Sequence, residues 1–129
     1  MPTEGAEIAV VISAYTMNRW DELVAAVRSV AELQRTPPRE VFVVVDGNEE
    51  LLERARAELT GATVVPNEDV PGLSGARMTG YRHAQSPVIA FLDDDAQAEP
   101  QWIEEMAAAY ADPEVLGTGG TVVPRWETE

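Results

Sequence analysis

With 129 residues, of which 45% are hydrophobic and 25% charged, the chain has the size and composition of one globular domain, 1–129, built on one core. Its formal net charge of -14, with all nine basic residues arginine, argues against a nucleic-acid or anionic-membrane surface, because those partners reward clustered Lys and Arg. Zero cysteines exclude disulfides, thiolate metal sites and cysteine nucleophiles, and a single histidine excludes a multi-histidine metal cage.

Met1 to Glu7 read as a loose lead-in, and Ile8 to Ile12 form an apolar, β-branched run of strand length. Ser13-Ala14-Tyr15-Thr16-Met17-Asn18 breaks that run, and Asn18 is the expected N-cap of a helix with Asp21 and Glu22 in its first turn. Trp20, Leu23, Val24, Val27 and Val30 or Ala31 recur at helical spacing, which leaves Glu22, Arg28, Glu32 and Arg35 to water. Thr36-Pro37-Pro38 stops this helix. Val41 to Asp46 is a second continuous apolar strand ending in an acid. Gly47-Asn48 turns it into a helix whose buried face is Leu51, Leu52, Ala55 and Leu59, and Gly61 ends that helix. Ala62 to Val65 reads as a third strand. A loop rich in turn formers follows from Pro66 to Gly75, and Ser74 is the expected cap of a helix running to about Ala84.

Val88-Ile89-Ala90-Phe91-Leu92 then runs directly into Asp93-Asp94-Asp95. This is the pattern of a buried parallel strand whose carboxyl end opens onto a site. Three adjacent acids repel unless something cationic sits among them, and a hard divalent ion bound through oxygens would relieve that repulsion. An acidic surface turn before a helix fits the spacing equally well. Pro100 reads as the first residue of a last helix with Trp102, Ile103, Met106 and Tyr110 on one face, ended by Asp112-Pro113. Val115-Leu116 and Gly120-Thr121-Val122-Val123 read as final short strands. Strands alternating with helices predict an α/β fold with a mostly parallel sheet covered on both faces. Right-handed crossovers put every strand's carboxyl end on one edge, so the loops 13–18, 46–48, 66–75 and 93–97 are expected to converge.

The order of these motifs resembles glycosyltransferase family 2, whose members have the Rossmann-like GT-A fold. The resemblance rests on Ser13-Ala14-Tyr15 at the first strand end, Val45-Asp46-Gly47-Asn48 at the second, the junction Gly72-Leu73-Ser74-Gly75-Ala76-Arg77, and Phe91-Leu92-Asp93-Asp94-Asp95. It covers nearly the whole chain and includes the closing Gly119 to Trp126. The stretch Ser13 to Trp20 is most similar to members that build glycans on polyprenyl or dolichyl phosphate carriers. The haloacid dehalogenase type of phosphatase fits poorly, because its acidic pair follows the first strand and works with a later Lys, and this chain has no Lys.

The resemblance implies a donor site for a UDP- or GDP-sugar. In it Asp46 accepts hydrogen bonds from the base or ribose, Tyr15 stacks on the base, and Ser13 lies beside them. Asp94 holds the ribose, while Asp95 with Asp93 forms the DXD metal site for Mg²⁺ or Mn²⁺ that bridges the diphosphate. Arg77 offers a forked cation to phosphate or ribose oxygens. Each has a plainer reading: Asp46 as a helix cap, Tyr15 as a half-buried rim residue, Arg77 in a surface salt bridge. Trp102 and Tyr110 fit core packing, and His83 has no obvious partner. Gly72 and Gly75 allow close backbone approach. The family usually has Ala-Arg-Asn where this chain reads Ala76-Arg77-Met78. The implied activity is sugar transfer with inversion to a lipid-phosphate-linked or glycan acceptor, with the general base and the acceptor half expected beyond Glu129. The alternative is a non-catalytic, truncated or redesigned α/β module. With no run of about 20 apolar residues and no signal core, the expected location is cytoplasmic, or the cytoplasmic face of a membrane for the full-length enzyme. An unpaired final strand would offer a homodimer seam.

Overall fold

Runs of β-branched residues that are apolar at every position, rather than at alternate ones, can be satisfied only where both faces of a sheet are covered. The computed structural model, which describes residues 6–110, places four of them side by side. Strands β1 (Ala6–Ala14), β2 (Pro38–Val45), β3 (Thr63–Pro66) and β4 (Val88–Asp93) form an all-parallel sheet in the order β3-β2-β1-β4. The two central strands are dry over their carboxyl-terminal stretches, with Ile8 through Ile12 each no more than 2% exposed and Val43 through Val45 no more than 1%. On one face Ile8, Val10 and Ile12 pack with Leu23 and Val27 of α1 (Trp20–Ala31), Leu51 and Ala55 of α2 (Glu49–Glu58) and Ile103 of α4 (Trp102–Ala109). On the other, Ala9, Val11 and Val44 meet Ala76 of α3 (Leu73–His83). The predicted α/β architecture with helices on both faces is therefore present.

Helix α3 turns a face of small residues, Gly75, Ala76, Thr79 and Gly80, to the sheet. A Cβ at Gly80 would lie 2.4 Å from Val11 Cγ1, so β1 and α3 pack at a separation that only glycine allows.

Several predicted boundaries move, each for a tertiary reason. β1 starts at Ala6 rather than Ile8, because Ala6 is in register with Pro38 and Glu7 pairs with Arg39 at 3.1 Å. Asn18 is not the cap of α1. Thr16 Oγ1 accepts from the Asn18 N–H at 3.1 Å, Met17–Arg19 form a 3-10 turn, and α1 begins at Trp20. Nor does Ser74 cap α3: it lies within the first turn, and the cap position is Gly72 at φ 112°, whose N–H is taken by Asp46. Pro100 stays in the turn ahead of α4, because its carbonyl accepts from Arg35 N–H at 2.8 Å. The capping is supplied from α1's trailing loop, where Gln34 Oε1 accepts from Ile103 N–H at 2.9 Å. β4 was expected to be buried throughout, yet only Ala90 is, and Phe91 is 42% exposed. Among the described residues β4 pairs with β1 alone. The predicted strands at Val115-Leu116 and Gly120 to Val123, and with them the dimer seam, lie outside the described residues.

Replacing Gly80 by Ala separates two opposing effects. Helix propensity favours Ala by about 0.5–1 kcal/mol, whereas the overlap with Val11 costs about 1–3 kcal/mol. The expected outcome is a net loss of stability in urea unfolding followed by circular dichroism. A gain would mean that α3 and β1 can part at little cost.

Candidate functional site

Because β1 is the middle of the sheet, Ser13 sits opposite Val44 of β2 on one side and opposite Asp93 of β4 on the other. The residues that follow these positions therefore emerge together. They surround a cleft of about 480 Å³, lined by Ser13 and Tyr15 after β1, Asp46 after β2, Gly72 and Leu73 at the start of α3, and Asp93, Asp94 and Asp95 at the end of β4. Such a volume suits a small ligand. The four predicted loops do converge.

Asp46 does not cap the helix after it; Asn48 does, its Oδ1 accepting from Leu51 N–H at 3.0 Å. The carboxylate of Asp46 instead ties the third loop to β2. Oδ1 accepts from Asn67 Nδ2 at 2.8 Å, and Oδ2 from Gly72 N–H at 2.9 Å. Asn67 is itself saturated, since Nδ2 also donates to Val70 O and Oδ1 accepts from Asp69 N–H and from the hydroxyl of buried Thr79. Each oxygen of Asp46 thus accepts one internal bond and keeps a second lone pair, in an orientation fixed from two sides.

At the end of β4 the three acids divide. Asp93 and Asp95 are exposed, while Asp94 is 5% exposed and turned inward. Its partner is Arg19, whose Nη1 lies 3.2 Å from Oδ1 and 3.5 Å from Oδ2. Burial pushes the Asp94 carboxyl above its usual range; Arg19 pulls it down and the neighbouring Asp95 and Asp93 add to the rise. Asp94 in turn raises the Arg19 guanidinium. Arg19 also donates from Nη2 to Tyr15 Oη at 3.3 Å and lies 5.2 Å from the centre of that ring. The cation that sequence reasoning asked for among the three acids is thus Arg19, which that reasoning assigned no role. A signal existed: Arg19 follows Tyr15 by four residues in the first polar loop, within reach of any site there.

Tyr15 is 56% exposed and forms the rim of the cleft, as its plainer reading had it, with the ring still open to a ligand. Arg77 does not line the cleft, although its neighbour Ala76 does; its guanidinium lies over the Phe91 ring at 5.2 Å rather than in a salt bridge. His83 does have a partner, Glu68 Oε1 at 3.0 Å, and its ring is 6.1 Å from that of Phe42. Trp102 packs partly against the core, as expected.

Among the described residues no three carboxylate or imidazole groups converge as a ready metal cage. Asp93 and Asp95 nonetheless offer hard oxygen donors to the cleft. Mg²⁺ or Mn²⁺ retains water and commonly uses one or two carboxylates plus phosphate oxygens, so this pair fits such an ion when a phosphate completes the shell.

Residues 9–127 match the family model described as glycosyl transferase family 2. A glucosyl-dolichyl phosphate glucuronosyltransferase of Haloferax volcanii is 36% identical over 124 residues, covering 93% of this chain and 39% of that protein. Polypeptide N-acetylgalactosaminyltransferase 15 of Mus musculus is 31% identical over 120 residues, covering 86% of this chain and 18% of its own length. Among solved structures, glucosyl-3-phosphoglycerate synthase of Mycobacterium tuberculosis, in complex with Mn²⁺, UDP and glucosyl-3-phosphoglycerate, superposes with a TM-score of 0.66 at 22% identity, over 85% of this chain and 41% of that one. S. aureus TarS in complex with UDP gives 0.64 at 22% identity, over 92% and 38%. The shared architecture is the GT-A fold. The chain spans about two-fifths or less of the length of these proteins.

Since burial raises the Asp94 carboxyl, its ionised form opposes folding, and that contribution is most favourable below the unfolded value of 3.8 and lost as pH rises through the folded one. Asp94→Asn removes this dependence. In chelator-treated protein its stability relative to wild type should rise between about pH 3 and about pH 7, read by thermal melts. A falling margin would mean that Arg19, not burial, governs the carboxylate.

Proposed function

The chain belongs to glycosyl transferase family 2, and from that membership we propose that the strand-end cleft is the donor site of a sugar-transferring enzyme, holding a UDP- or GDP-sugar with Mg²⁺ or Mn²⁺. The observation that carries this reading is the meeting, in one cleft, of the oriented Asp46 carboxylate, the exposed Tyr15 ring and the acids that end β4. The free lone pairs of Asp46 suit N–H or O–H groups of a base or ribose. Tyr15 offers a face for stacking, a contact worth on the order of 1–3 kcal/mol when fully engaged. Asp94 suits ribose hydroxyls, with Ser13 beside it. Arg77, in the second turn of α3 and outside the cleft lining, would reach the donor only by leaving the Phe91 ring.

Asp93 and Asp95 would hold the metal, which when bound supplies Lewis-acid neutralisation of the departing nucleoside diphosphate. The transfer itself is proposed as a single displacement with inversion. An acceptor hydroxyl oxygen bonds to the anomeric carbon on the face opposite the diphosphate, the bond from that carbon to the diphosphate breaks, and the hydroxyl proton passes to a general base. A lipid-phosphate-linked acceptor is proposed from the likeness to the Haloferax volcanii enzyme, whose name includes a glucosyl-dolichyl phosphate.

Calorimetric titration of the chain with UDP and GDP, in Mn²⁺ and then in chelator, tests the proposal. Binding of one nucleotide should be at least about tenfold tighter with metal, a difference of about 1.4 kcal/mol. The paired change Asp93→Asn and Asp95→Asn should erase that difference while leaving the fold intact. Failure of both nucleotides to bind with Mn²⁺ present would rule out a donor site.

A further inference from the structure

Among the described residues the cleft is lined by four carboxylates, Asp46, Asp93, Asp94 and Asp95, and by one guanidinium, Arg19. The Arg19–Asp94 pair is lopsided: the arginine side chain is 37% exposed, the aspartate side chain 7%. Its contacts, at 3.2 and 3.5 Å to Asp94 and 3.3 Å to Tyr15, are longer than the roughly 2.7–2.9 Å of a tight charge-assisted hydrogen bond. The aspartate is therefore the fixed partner. The arginine is held loosely, at the open side of the cleft.

We propose that Arg19 is the phosphate-binding side chain of this cleft, and that it exchanges Asp94 for the diphosphate when a nucleotide enters. The inference rests on the donor-site reading and adds to it the residue that recognises the phosphates. Two physical requirements support the exchange. A buried carboxylate stripped of its cation is strongly destabilising unless other donors replace it, and the hydroxyls of a ribose are such donors. A diphosphate placed among four carboxylates gains from a cation in addition to the metal, and the planar fork of a guanidinium matches two phosphate oxygens at once. One charge-assisted pair is thus traded for another, with hydroxyl hydrogen bonds left on Asp94. Arg19 already lies over the Tyr15 ring at the open side of the cleft, so the exchange asks only for a short swing of the guanidinium. Were Arg19 only a brace for Asp94 and Tyr15, ligands with and without phosphate would feel its loss equally.

That contrast defines the experiment. The isotope-labelled chain is titrated by NMR in Mg²⁺ with UDP and uridine, and with GDP and guanosine, in wild type, Arg19→Gln and Arg19→Lys. The expected result is that Arg19→Gln weakens the nucleoside diphosphate about 10- to 100-fold, the loss of one charge-assisted contact, while the nucleoside changes less than about threefold. Arg19→Lys should recover part of the diphosphate affinity, and the Arg19 side-chain signal should move with UDP but not with uridine. Equal losses for diphosphate and nucleoside, or an unchanged diphosphate affinity, overturn the inference. Should Arg19→Gln unfold because Asp94 is left unpaired, the double variant Arg19→Gln/Asp94→Asn measured against Asp94→Asn gives the same ratio without a buried charge. A wild-type chain that binds neither UDP nor GDP overturns the donor-site reading itself, and this inference with it.

Discussion

Three consecutive carboxylates at the end of one strand cannot all point the same way at low cost, and the way this fold separates them shapes the site around it. Asp93 and Asp95 go to solvent, and Asp94 turns inward to meet a guanidinium 75 positions earlier in the chain. For Arg19 to arrive there, the chain after β1 must turn quickly. The 3-10 turn Met17–Arg19 does this, under the cap that Thr16 provides, and it delivers Trp20 into the core at the next residue. Tyr15 is drawn in by the same arginine. One ion pair thus links the first and fourth polar loops, which the register of β1 and β4 has already brought together.

The second and third loops are joined by a different device. Asp46, Asn67, Thr79 and Gly72 form a hydrogen-bonded set in which a carboxylate, an amide and a hydroxyl bond one another and the backbone N–H groups of Glu68, Asp69 and Gly72. Gly72 is the residue that makes it possible, because its φ of 112° is one that side chains resist. Behind the acids a third set works at the helix end. Ser29 Oγ accepts from Ala98 N–H at 3.0 Å, and Gln34 Nε2 donates to Glu99 O at 2.7 Å, anchoring the segment between the acids and α4 to α1. The cleft walls are therefore braced by side chains that do not line it.

What could be read from the sequence is what local pattern determines. The unbroken runs at Ile8–Ile12 and Val41–Val45 announce buried parallel strands, and the helical spacing of Leu23, Val27 and Val30 announces α1's inner face. Topology then forces the polar loops together, which is why Ser13, Tyr15, Asp46 and the acids of β4 could be placed before any coordinates. What could not be read depends on contacts between distant segments. Asn18 is a better local cap than Thr16, and Ser74 than Gly72, but the caps are chosen by where Trp20 and Asp46 need the chain to be. Gln34's hold on the start of α4 has no local signature either. Arg19 was passed over for the same reason: nothing near it in sequence says that its partner is Asp94. Phe91 misled in the opposite sense, since an apolar run reads as buried whether or not its neighbours in the sheet cover it.

The charge of the site constrains how it can work. Among the described residues, four carboxylates against one guanidinium leave the cleft a formal excess of three negative charges in a chain that already carries -14. Two like charges about 5 Å apart cost about 3 kcal/mol at an effective dielectric of about 20, so a diphosphate facing Asp93 and Asp95 directly would be repelled by more than a base contact returns. A divalent ion between them reverses the sign of that interaction, and the diphosphate does the same for the ion by supplying oxygens that two exposed carboxylates alone do not. On the donor-site reading, metal and nucleotide affinities are therefore linked reciprocally, each ligand raising the affinity for the other by the same factor. The lone arginine then has a particular place in the balance. It is the cation that the cleft itself supplies, and on this reading it keeps Asp94 compensated until a ligand carrying its own hydroxyl donors and its own phosphates takes over both ends of the pair.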